Sequence, residues 1–158
     1  MKRVDGNPNI SLIECTNPVK GLWRIRWDVQ TNEDTTSYME EEFDHKPTPE
    51  EVKSIVLPYY NREIESSILS GMEYEGVMVW LSTENQFNYK AAYDLAVQTQ
   101  GQSLPVVFKF GTDDEPQYRE FTTIDELNDF YQKSISYVLT TLQEGWKKKD
   151  GFDVTLYE

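Results

Sequence analysis

The chain is nearly without the two residue types from which most compact reactive centres are built: it has one cysteine, Cys15, and one histidine, His45. No disulfide can form within it, and no cluster of thiolates can hold a metal. A zinc site of two histidines, or of histidine and several cysteines, cannot be assembled from one copy. No apolar run approaches the roughly 20 residues of a membrane span. The segment from Met1 to Pro8 has basic residues but no apolar stretch behind them, so it does not read as a secretory signal and the chain is expected to be soluble and made in a cytoplasm. Glycine-rich phosphate loops, dinucleotide fingerprints and a Gly-x-Ser-x-Gly elbow are also missing.

Positive charge is scarce as well. Fifteen Lys and Arg stand against 28 Asp and Glu, a formal charge of −13. Such a field repels nucleic acid and anionic membranes and favours solubility, basic protein partners or cations. The one cationic cluster, Lys147 to Lys149, falls in the last turn of an expected helix, where the dipole accounts for it. Nucleic acid and membrane are therefore not expected partners.

What the chain has in quantity is aromatic residues, with four Trp, ten Tyr and seven Phe. At 158 residues it is read as one domain, and a chain of that size buries roughly 70% of its unfolded surface without a metal or a disulfide. Two layers are expected: a β-hairpin layer over residues 10–46 and an α/β hairpin core over 48–158. Residues 1–9 have the chemistry of a turn or tail. Ile10 to Cys15 is a short strand candidate, with Cys15 a buried thiol. Trp23, Ile25, Trp27 and Val29 alternate with Arg24, Arg26 and Asp28. After a polar loop from Thr31 to Ser37, Tyr38 to Asp44 returns as the second strand. Arg24 and Arg26 should then sit across from Glu40 and Glu42. The face with Trp23, Ile25, Trp27, Met39 and Phe43 must be covered, either by the chain's own helix or by a protein partner, and is the candidate interaction surface.

Three helices begin with capping signals. Thr48-Pro49-Glu50-Glu51 opens the first, in which Pro58 predicts a kink or a break. Thr83 to Gln86 opens the second, with a stripe of Tyr89, Ala92, Tyr93 and Ala96 and a stop at Gln100-Gly101. Thr123 to Glu126 opens the longest, with a stripe that runs from Leu127 through Phe130 and Ser134 to Trp146. Val77 to Leu81, Leu104 to Phe110 and Tyr118 to Phe121 read as strands, and Phe152 to Tyr157 as an edge strand or a docking tail. The fold class is α+β: antiparallel hairpins with three capped helices packed on them and an N-terminal β-layer.

No positioned acid–base pair emerges, so no catalytic, metal or cofactor-binding residue is assigned and the chain is not read as an enzyme. An enzyme would have to use His45 with a carboxylate. Asp113-Asp114-Glu115 lacks the spacing of a calcium loop and reads as a hairpin turn. An acidic inhibitor that mimics DNA against a host defence protein is the alternative that the charge suggests.

The strings Tyr74-x-Gly76-x-x-Val79-Trp80-Leu81-Ser82-Thr83-Glu84-Asn85-Gln86-x-Asn88-Tyr89-Lys90, Pro105-Val106-x-Phe108-Lys109-Phe110-Gly111-Thr112 and Glu120-Phe121-Thr122-Thr123 resemble a domain family of unknown function found in phages and prophages. Its members are often encoded among tail and other virion genes. The likeness covers roughly residues 72–149, while residues 10–60 look similar to the front end of related proteins from phages of gut bacteria. The resemblance implies a non-enzymatic structural or assembly role in the virion or the host cytoplasm, the tail among the expected places. The implied partners are other virion or assembly proteins, or a second copy.

Overall fold

The computed structural model describes residues 1–32 and 35–158, so Glu33 and Asp34 of the expected Thr31–Ser37 loop lie outside the described residues. The fold is α+β, with four strands preceding a helix and two hairpins that alternate with two more helices. By chain contact it divides into two compact units, residues 1–60 with 149–158, and residues 61–148. The dividing points fall inside helices, unlike the 10–46 and 48–158 layering expected from the sequence.

In the first unit, β1 (Lys2–Gly6), β2 (Ile13–Asn17), β3 (Leu22–Thr31) and β4 (Thr36–Phe43) form one antiparallel sheet in the order β1-β4-β3-β2. β1 corrects the expectation of a tail. Its one apolar residue, Val4, gives no periodic signal, and the strand is held by backbone pairing of Lys2 with Glu40 and Gly6 with Thr36. β2 starts later than expected, at Ile13, and Cys15 beside Trp23 is only half-buried.

The two Arg do lie across from the two Glu, and the β3–β4 register sets Arg24 against Glu42 and Arg26 against Glu40. The alternation ends at a bulge between Trp27 and Gln30, where Asp28 takes a φ of 50°. Asp28 Oδ2 accepts from Tyr59 Oη at 2.6 Å, from Gln30 Nε2 at 3.0 Å and from Arg3 Nη2. The bulge turns Val29 out of the apolar face that it was expected to share, leaving it 41% exposed.

Helix α1 (Pro49–Leu69) begins as a reciprocal capping box: Thr48 Oγ1 accepts from the Glu51 amide, and Glu51 Oε2 accepts from the Thr48 amide at 2.8 Å. Val52, Val56 and Tyr59 of its first half cover the sheet, joined by Tyr157 of the C-terminal tail. Pro58 does not break the helix. Pro58 and Ser54, whose carbonyl it leaves without an amide partner, are both exposed, so solvent can satisfy the freed group. The tail forms a 3₁₀ turn (Val154–Tyr157), not an edge strand, and Tyr157 donates its hydroxyl to the Arg26 carbonyl at 2.6 Å.

The second unit holds the C-terminal half of α1, the hairpin β5 (Met72–Tyr74) with β6 (Val77–Val79), α2 (Thr83–Gln98), the hairpin β7 (Val106–Gly111) with β8 (Pro116–Phe121), and α3 (Ile124–Asp150) up to Lys148. Its centre is aromatic. Phe130 lies with its ring centroid 4.9 to 5.8 Å from those of Tyr89, Tyr74, Phe110, Phe121 and Phe108. β7 and β8 send Val106, Phe108, Phe110 and Phe121 into this core and Val107 and Tyr118 outward.

The α2 cap is Ser82, one residue earlier than expected, its side chain accepting from the Asn85 amide at 3.2 Å. The helix leaves through Gln100 and Gly101, both at positive φ, with the Gly101 amide bonded to the Ala96 carbonyl. α3 is capped as predicted: Thr123 Oγ1 accepts from the Glu126 amide, and Glu126 Oε2 accepts from the Thr122 and Thr123 amides. Its inner stripe stops short of Trp146, which is 51% exposed and not in the core as expected.

Candidate interaction site

The sheet face expected to meet a partner is covered by the chain itself. Ile25, Trp27 and Met39 lie in the core beneath Val52, Val56 and Tyr59, while Trp23 and Phe43 are half-buried. Trp23 also receives Lys46, whose ammonium lies 5.7 Å from the ring centre. Of the two coverings open to this face, its own helix is the one used.

The opposite side of the sheet carries a charge network. Glu40, 5% exposed, takes Lys2 and Arg24 at 3.4 Å each and Arg26 at 3.9 Å. Arg24 also bonds Glu42 at 2.5 Å, and Arg26 bonds Glu14 at 2.6 Å and the Ser11 carbonyl at 2.9 Å. Glu41, which alternates onto the other face of β4, pairs with the Met1 amine. The acidic run of β4 is thus internally neutralised, and Glu42, held by Arg24, is a stronger acid than an ordinary carboxylic side chain.

His45 is exposed between Asp44 and Glu51 and lines none of the clefts described next. Among the described residues no group of three or more His, Cys, Asp or Glu is arranged to hold a metal, and no helix is long and apolar enough to cross a membrane.

In the second unit a cleft of about 640 Å³ opens between Met72 and Tyr137. Two of its charged groups are tied to the cleft wall: Asp129 accepts from Tyr74 Oη at 3.0 Å and Lys133 Nζ at 2.8 Å, and Lys133 also lies over the Tyr74 ring, while Glu73 is exposed at the rim. Burial, with the carboxylate of Asp129 beside it, pushes the Tyr74 hydroxyl up to about 12. None of the exposed large apolar side chains lines this cleft.

Two smaller clefts in the same unit share Glu65 and Leu69. One, of about 320 Å³, has an apolar floor of Ile64, Ile68, Leu81, Val138 and Leu142. The other, of about 360 Å³, is bordered by Arg62, Ser66 and Trp80. The two adjoin at Glu65 and Leu69, and the second is a groove bordered by Leu69 and Trp80, 44% and 43% exposed. Trp80 is held fast. Its indole Nε1 donates to the Gly111 carbonyl at 2.6 Å, and its carbonyl accepts from Asn85 Nδ2 at 3.1 Å and Tyr89 Oη at 3.4 Å. The next residue, Leu81, is fully buried. Gly111 has a φ of +80°, and a Cβ there would collide with the Glu115 carbonyl, so glycine makes the turn that presents this acceptor.

A fixed, half-exposed tryptophan at the edge of a groove is the type of anchor that dominates protein interfaces, because its area is large and little freedom remains to be lost on binding. The sequence reading placed Trp80 in a strand with apolar residues on both faces. β6 instead ends at Val79, and Trp80 leaves the sheet. The signal in the sequence is the end of the apolar run at Ser82, two residues after Trp80.

No protein-family model, curated protein or solved structure matches this chain.

Proposed function

We propose that this chain is a non-enzymatic structural or assembly protein of a phage, and that it docks a protein partner through the groove between Leu69 and Trp80. The immobilised, exposed Trp80 carries this reading. It lies inside the segment whose resemblance to a phage domain family covers residues 72–149. The partner suited to this groove is a protein segment with an apolar side chain for the cleft and basic residues beside it. The chain's −13 charge attracts such a segment, and Glu65 stands exposed on the shared rim.

Mass spectrometry of purified particles from the phage that encodes the chain is expected to find it among the virion or assembly proteins. Trp80→Phe removes the indole donor and part of the contact area, and Leu69→Glu places a charge on the opposite wall. Both are expected to lower incorporation or co-purification at least tenfold, about 1.4 kcal/mol of binding, while circular dichroism stays unchanged. Absence of the chain from particles and from assembly intermediates would remove the reading.

A further inference from the structure

The single histidine sits where the first sheet hands the chain to α1. His45 Nδ1 lies 2.7 Å from Asp44 Oδ1, and Nε2 lies 3.0 Å from Glu51 Oε1. Glu51 is already committed at its other oxygen, Oε2, which accepts from the amide and hydroxyl of Thr48 at 2.8 and 2.9 Å. The imidazole therefore joins the end of β4 to the carboxylate that caps α1. Phe43, edge-on to the ring at 5.9 Å between centroids, and the buried Pro47 and Val52 anchor the segment on either side.

We propose that His45 is a proton-operated latch between β4 and the first turn of α1. Both acceptors are carboxylates, so both ring nitrogens must donate, and only the imidazolium carries two N–H groups. The neutral ring has one. On losing a proton it must turn a lone pair toward Asp44 or Glu51, and that contact opens. The capping bonds between Thr48 and Glu51 do not involve the ring, so α1 keeps its start while its tie to the strand end is released. The charged groups that face the ring are Asp44 from its own segment and Glu51 from α1; Lys46 directs its ammonium at Trp23 instead.

Hydrogen bonds to Asp44 and then Glu51 raise the basicity of His45 above its ordinary 6.5. The hydrogen bond from His45 depresses Asp44, and Glu51 is depressed first by the Thr48 amide and next by His45. The sign follows from linkage. The stabilisation from His45 is complete below 6.5 and is lost as pH rises through its raised folded value. That from the two carboxylates is present above their ordinary values and lost as pH falls through their depressed ones. The latch is closed between these limits.

The test is a proton NMR titration of the full chain, in which one imidazole gives one set of ring signals. The expected midpoint lies above 6.5, and the Thr48 and Glu51 amides move with the same midpoint. Asp44→Asn and Glu51→Gln should each lower it. In His45→Gln the movement of both amides across that pH range should vanish. Asp44→Asn leaves the capping box intact, so loss of helix in Glu51→Gln would not blur the result. A midpoint at or below 6.5, or amides that do not follow the ring, overturns the proposal.

Discussion

The two units hold themselves together by different means. The first spreads its stability over a four-stranded sheet, with helix α1 and Tyr157 on one side and paired Arg and Glu side chains on the other. The second has only two-stranded hairpins, which are marginal by themselves, and concentrates its stability in interlocked rings around Phe130. A paired sheet tolerates charge on one face because its backbone bonds do not depend on the side chains there. A pair of short hairpins has no such reserve and depends on packing.

The sharpest way to break this contrast is Phe130→Ala. The fully buried ring leaves a cavity that stiff aromatic neighbours cannot fill, at an expected cost of about 3–5 kcal/mol by denaturant unfolding. A loss below that of Ile25→Val in the first unit, about 0.5–1.5 kcal/mol, would contradict the dependence on packing. Glu40→Gln is next, since it leaves Arg24 and Arg26 short of a buried counter-charge. About 1–3 kcal/mol should be lost, and the loss should change little with salt because the site is shielded from solvent ions. The helix starts give the smallest effect: Thr48→Ala and Ser82→Ala should each cost about 1 kcal/mol. Similar values in both units would show that capping is indifferent to the two modes of packing, whereas packing itself is not.

Much of the local structure was legible. That Arg24 and Arg26 share a face with Glu40 and Glu42 across the hairpin followed from period-two alternation, and the starts of α1 and α3 from Thr-x-x-Glu patterns. These features depend on residues a few positions apart, or on a face repeated along one strand. β1 was not legible because Lys2 to Gly6 forms a strand through partners on β4, and its own side chains show no pattern. Asp28 broke the alternation because Arg3 and Tyr59, distant in sequence, hold it at positive φ. The candidate site was the least legible part, since a tryptophan in an apolar run carries no mark of which side it will take.

The sequence alone determined the α+β class, the starts of α1 and α3, the β3–β4 and β7–β8 hairpins and the want of residues for a thiolate or two-histidine centre, because these rest on composition and short-range geometry. Only the tertiary structure decided that α1 covers the Ile25–Trp27 face, that Tyr157 docks on Arg26 and that Trp80 stands beside an open groove. An apolar side chain gains the same free energy from any dry surface, so burial chooses its partner by which surfaces the whole fold brings within reach.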